Sequence, residues 1–303
     1  MWRAAGLLAV LAFTVAACDT GTPQPVAPSG QIRVVASFYP LYEFARQVGG
    51  ERVSVSSLVP TGVEPHDWEP SPREVVQIYQ ADLFLYNGAG LEPWADRLVK
   101  ELGGKSPVVV KATEGMTLRR AEEGSKDSPL DPHVWLDPLL AKQQVQAIST
   151  ALQRLDPDHA QTYATNADAY LRQLDQLHQE YLEGLRDCRS RTLVTTHASF
   201  GYLAARYGLT QVAISGLTPE AEPSPGRLAQ LARELKARGV TAVYTEPLVS
   251  PAVADALARE IGAQVLVLNP IEGLTPAEEA QGKDYLSLMR DNLATMRKGL
   301  RCS

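Results

Sequence analysis

The chain has 303 residues and a formal net charge of −6, with 45% apolar and 21% charged residues. That length holds one large domain or two of ordinary size, and the balance is that of a globular protein. The acidic balance and the lack of any run of five basic residues argue against a phosphate-neutralising surface, so nucleic acid is not an expected partner.

Residues 1–17 read as a signal peptide. Arg3 precedes the apolar run GLLAVLAFTVAA, which is too short to span a bilayer as a stable helix. The tetrapeptide VAAC at 15–18 resembles a bacterial lipobox, which implies cleavage before Cys18 and a lipid on that cysteine. Residues 18–31 are rich in Pro, Gly, Ser and Thr and are expected to form a flexible tether.

Strand-like runs then alternate with helical stretches. IRVVASF (32–38), VSVSSLV (53–59), DLFLYNG (82–88) and PVVVKA (107–112) fall in the first half. TLVTTH (192–197), QVAIS (211–215), AVYTEP (242–247) and AQVLVLN (263–269) fall in the second. Nearly continuous β-branched runs predict parallel strands buried on both faces. The expected fold is α/β, in two lobes of roughly four parallel strands each. The lobes are placed at 32–155 and 188–303, with a connecting segment at 156–187.

Helix starts are marked by Ser71-Pro72-Arg73-Glu74 and Thr275-Pro276-Ala277-Glu278, both capping boxes with Pro at the first helical position. Asp137-Pro138 and Ser250-Pro251 give a cap and a Pro without the box. From Asp156 to Arg186, apolar residues recur at three- and four-residue spacing, which predicts one long amphipathic helix joining the lobes. Gly184 is the candidate breaker within it.

Beyond Cys18 there are two cysteines, Cys188 and Cys302. In an exported protein such a pair suggests one disulfide, with two buried free thiols as the alternative; a cysteine metal site is not expected without a C-x-x-C spacing.

Of the five histidines, His159 and His178 fall on the long helix and read as surface or packing residues. The other three each follow a strand. His66 lies in TGVEPHDWEPSP, His133 in DPHVWLDP, and His197 closes TLVTTH. Sites in open α/β sheets gather beyond the carboxyl ends of strands, so these three can converge. Convergent imidazoles suit zinc, and a carboxylate would complete a tetrahedral site. Glu246 and Glu272, both after strands of the second half, compete for that role.

The stretches VVASFYPLYEFARQVGG, LVPTGVEPHDWEPSPREV, ADLFLYNGAGLEPW, DPHVWLDP, THASFGYLAARYGL, SGLTPEAEPSP, VYTEPLVSP and LNPIEGLT together resemble the zinc- and manganese-specific solute-binding lipoproteins of bacterial ABC importers. The resemblance covers about residues 32–301 and implies two α/β lobes joined by a long rigid helix, with the metal between them. It implies His66, His133 and His197 as ligands. Histidine rather than glutamate at the third position implies Zn2+, with Mn2+ as the alternative. Many relatives carry an aspartate where this chain has Asn269, and others a glutamate a little further on. Glu272 fits the second pattern, which leaves Glu246 and Asn269 behind the ligands, Glu246 holding a histidine tautomer. The stretch EEGSKDSPLDP lacks the histidine-rich loop of many zinc-type relatives.

The implied function is capture of Zn2+ outside the cytoplasmic membrane and delivery to an ABC permease with a cytoplasmic ATPase, by a monomer anchored through lipid on Cys18. The chain has no G-x-x-x-x-G-K-[ST], H-E-x-x-H or G-x-S-x-G motif, and four protein ligands would leave no place for substrate water, so no enzyme is expected. An exported zinc hydrolase and an adhesin are the alternatives from other classes.

Overall fold

The computed structural model describes Trp2 and residues 30–103, 107–121, 129–219 and 223–303. The signal peptide, Cys18 and most of the tether lie outside these residues. Among the described residues, no helix is long and apolar enough to cross a membrane.

The first half runs β1 (Ile32–Ala36), α1 (Tyr39–Gly49), β2 (Val53–Ser57), α2 (Pro72–Gln80), β3 (Leu83–Tyr86), α3 (Pro93–Leu102), β4 (Val108–Lys111) and α4 (Pro138–Leu155). The helix α5 (Ala160–Gly184) follows. The second half runs β5 (Thr192–Thr195), α6 (Gly201–Arg206), β6 (Thr210–Ala213), α7 (Pro225–Ala237), β7 (Ala242–Thr245), α8 (Ala252–Ile261), β8 (Gln264–Val267), α9 (Pro276–Ala280) and α10 (Tyr285–Leu300). The two four-stranded sheets have orders β2-β1-β3-β4 and β6-β5-β7-β8, and their strands pair in parallel.

Every expected strand is present, but each stops short of its apolar run. Leu58, Val59 and Leu268 lie past the strand ends yet are buried. The loops that leave the sheets are themselves core, so hydrophobicity does not mark where pairing ends. Burial on both faces is complete for β3 and β7 and holds for the last three residues of the other two interior strands, β1 and β5. The edge strands are partly exposed, with Val108 at 45% and Val267 at 56%.

The capping boxes form as expected. Ser71 N donates to Glu74 Oε2 at 2.6 Å, and Thr275 N to Glu278 Oε2 at 2.8 Å. Asp137 Oδ1 accepts from Leu139 N at 2.9 Å. At Ser250-Pro251 the helix starts a residue later than expected: Pro251 is the cap and α8 begins at Ala252.

The connecting helix is shorter than the expected span. A 3-10 turn at Pro157–His159 precedes α5, whose 25 residues rise about 37 Å. Gly184 is its last residue and packs closely against α10. A Cβ there would lie 3.1 Å from Leu293 Cδ1, so the Leu293 side chain on α10 would have to give by a few tenths of an ångström. The buried face of α5 (Tyr163, Ala167, Tyr170, Leu174, Leu177, Tyr181) packs against α1, α4 and α10. One hydrophobic core therefore runs from Val34 and Leu83 through α5 to Leu193, Met289 and Met296. A disulfide joins Cys188, ahead of β5, to Cys302, just past α10.

Candidate metal centre

Four loops beyond the carboxyl ends of β2, β4, β5 and β8 bring His66, His133, His197 and Glu272 together. Each is held by its own local chemistry. Glu64 Oε2 accepts from the backbone N–H of His66 at 2.9 Å, and the Ser71 box fixes the chain further on. Of the other acids in that loop, Asp67 is exposed and Glu69 pairs with Arg97 at the surface.

His133 is fully buried. Asp131 Oδ1 accepts from its backbone N–H at 3.0 Å and faces its ring Nδ1 at 2.9 Å. The carbonyl of the intervening Pro132 accepts from Asn87 Nδ2 at 2.9 Å, which ties this loop to the end of β3. His197 is treated alike by Glu246, whose Oε2 lies 2.7 Å from Nδ1 and whose Oε1 accepts from the backbone N–H at 3.2 Å. The Thr196 hydroxyl also donates to Glu246 Oε1. A carboxylate beside the Nδ1 of each of these two rings favours a proton there and leaves Nε2 facing the centre.

Glu272 is presented by a strained turn. Ile271 adopts φ +58°, a left-handed conformation that a β-branched residue rarely takes and that costs about 1–3 kcal/mol. Asn269 holds the turn: its Oδ1 accepts from Ile271 N at 2.7 Å and its Nδ2 donates to Glu278 Oε1 at 2.8 Å. Asn292 pairs with the Asn269 backbone on both sides. Asn269 thus shapes the Glu272 loop, and its side-chain bonds go to that loop rather than to an imidazole.

At the centre, Glu272 Oε1 lies 3.3, 3.2 and 3.3 Å from the Nε2 atoms of His66, His133 and His197. His133 Nε2 is 3.3 Å from both His66 Nε2 and His197 Nε2. These are five of the six edges of a tetrahedron. Ligand atoms about 2.0–2.1 Å from a central zinc would stand about 3.3–3.4 Å apart at tetrahedral angles. The side chains are therefore spaced to hold one metal ion of that kind.

The charges agree with this. Burial would raise the Glu272 pKa, but the His197 charge and hydrogen bonds from all three imidazoles hold it well below the usual carboxylate range. Burial would lower His197, yet Glu246 and Glu272 hold it well above an ordinary imidazole. Burial likewise opposes His133, and Asp131 and Glu272 raise it. Burial keeps His66 low against the pull of Glu272. The cluster favours positive charge at the point where Glu272 Oε1 meets the three rings.

The remaining histidines lie elsewhere. His159 Nδ1 contacts Asp156 and His178 Nδ1 faces Tyr207 Oη at 3.1 Å. The sequence reading missed Asp131. Its signal was an aspartate two residues before a strand-following histidine, a spacing that lets one carboxylate reach both the backbone and the ring.

Residues 34–299 match the family described as zinc-uptake complex component A, periplasmic. The high-affinity zinc uptake system protein ZnuA of Bacillus subtilis is 37% identical, over 99% of this chain and 98% of that protein. The zinc-binding lipoprotein AdcA of Streptococcus pneumoniae is 40% identical over 89% of this chain, which spans only 56% of its length. The crystal structure of the Zn(II)-bound ZnuA-like domain of that AdcA superposes with a TM-score of 0.79 at 40% identity, covering 89% of this chain and 99% of that domain.

Proposed function

The chain belongs to the family of periplasmic components of zinc-uptake complexes, and from that premise we propose that it captures one Zn2+ through His66, His133, His197 and Glu272. It then delivers the ion to an ABC permease driven by a cytoplasmic ATPase. The observation that carries this reading is the set of 3.2–3.3 Å edges among the four ligand atoms. Three imidazoles and one carboxylate favour zinc over the harder manganese ion. Four protein ligands close the coordination sphere, which suits capture and release rather than catalysis. The chain acts outside the cytoplasmic membrane, as a monomer held by lipid on Cys18.

Glu272 is assigned as the fourth ligand and Glu246 as the group that orients His197. Zinc titration of the purified mature chain against a competing chelator tests the assignment. Glu246→Ala should weaken binding by about 10–100-fold, as loss of an orienting partner does, and Glu272→Ala by more. The reverse order would exchange the two roles.

A further inference from the structure

Glu272 is also the wall of a second feature. A pocket of about 280 Å³ reaches it from the surface between the loop after β2 and the loop after β8, lined by Tyr39, Ser57, Thr61, Glu272 and Glu279 among others. Its polar side chains all offer oxygen: two carboxylates, two aliphatic hydroxyls and the phenols of Tyr39 and Tyr42. No Lys, Arg or His lines it among the described residues. Tyr39 is 8% exposed and its buried hydroxyl has no hydrogen-bond partner among the described residues. A volume of that size takes several waters, hence a partly hydrated dication.

The other flank of the centre is different. A cavity of similar volume lies behind His133, bordered by Asp131, but Arg119 and Arg120 line it as well. Two guanidinium groups repel a dication, and Asp131 is already engaged with the His133 ring. The imidazoles of His133 and His197 are themselves fully buried.

We propose that zinc passes to and from the centre through the Glu272-side pocket, with Glu279, Thr61 and Tyr39 as transient oxygen contacts and Glu272 as the first permanent ligand it meets. This rests on the reading of the centre as a zinc site. The mouth is bridged by Thr61 Oγ1 donating to Glu279 Oε1 at 3.2 Å and by Gly62 N donating to Leu274 O at 2.8 Å. Both bonds join the first lobe to the second. Passage exchanges the Thr61–Glu279 bond for contacts with the hydrated ion, which is then stripped of water as Glu272 and the imidazoles take over.

A residue on the route changes rates, whereas a ligand changes the equilibrium. Stopped-flow zinc capture by the mature chain, with dissociation read by chelator trapping, separates the two. Glu279→Lys should slow association about tenfold at low ionic strength, with the effect shrinking as salt is added. Glu279→Gln should show a smaller slowing. Tyr39→Phe should slow association and dissociation together at unchanged Kd. Glu260→Lys makes the same charge change on exposed α8 and should leave the rates alone. Unchanged association in all three route variants, or an equal change in Glu260→Lys, would overturn the route. Equilibrium titration of the wild type in parallel keeps the two ideas apart: absence of zinc binding defeats the zinc reading and the route with it, whereas tight binding with unaltered variant rates defeats the route alone.

Discussion

Asp131 uses one carboxylate oxygen twice, on the backbone N–H and on the ring Nδ1 of His133. That holds both the position and the ring orientation of a proposed ligand. Asp131→Asn keeps the shape and removes the charge, and should weaken zinc binding about 10–100-fold while leaving the thermal midpoint of the metal-free chain nearly unchanged. Unaltered affinity would mean that Asp131 serves only the turn. At this scale the three histidines stood out because each follows a strand-like run, whereas the choice of Glu272 over Glu246, which also follows a strand, rested on the family resemblance. Asp131 was not legible, since an aspartate before proline reads as an ordinary turn former. Nor was the left-handed Ile271, because nothing in its side chain announces a positive φ.

At the scale of elements, the end of β3 supports the centre without touching it. Glu92, 3% exposed, accepts hydrogen bonds from Ser37 Oγ at 2.6 Å, Asn87 N at 2.9 Å and Gly88 N at 2.9 Å. Asn87 in turn holds Pro132, next to His133, and is held by Gln144 of α4. Burial pushes the Glu92 pKa up to about 7 against the pull of its three donors. A folded pKa above the ordinary 4.5 means that this group's contribution is fully present below that value and is lost as pH rises through about 7. The metal-free chain should therefore lose about 2–4 kcal/mol of stability from this group between about pH 4.5 and pH 8. Urea unfolding across that range, with chelator present, should show a flatter pH dependence for Glu92→Gln than for wild type; equal slopes would contradict the assignment. Element identities were legible from the alternation of apolar runs and caps. Their ends were not, because the buried loops at the strand termini continue the same apolar pattern.

The whole molecule repeats one topology. Both sheets place the second strand outside the first and the third and fourth on the other side, so His133 after β4 and Glu272 after β8 occupy equivalent places in the two lobes. The sequence suggested two lobes and a long helix, but not that α1, α4, α5 and α10 share one core beneath the centre. Such contacts join residues far apart in the chain, and periodicity reports only near neighbours. A shared core predicts small lobe movements rather than wide hinge closure. The Cys188–Cys302 bridge spans 114 residues of that second lobe. Replacing both cysteines with serine should cost about 2–5 kcal/mol, read as a lowered thermal midpoint, while zinc affinity stays close to wild type because Cys188 lies ahead of β5 and His197 beyond its other end. A large loss of affinity would show that the bridge sets the ligand geometry. Zinc K-edge absorption of the chain loaded with one equivalent reports whether a single zinc is held by three imidazoles and one carboxylate. A first shell of four light atoms at about 2.0–2.1 Å with the scattering of three imidazoles is the predicted result; five or six ligands, or two or fewer imidazoles, would contradict it.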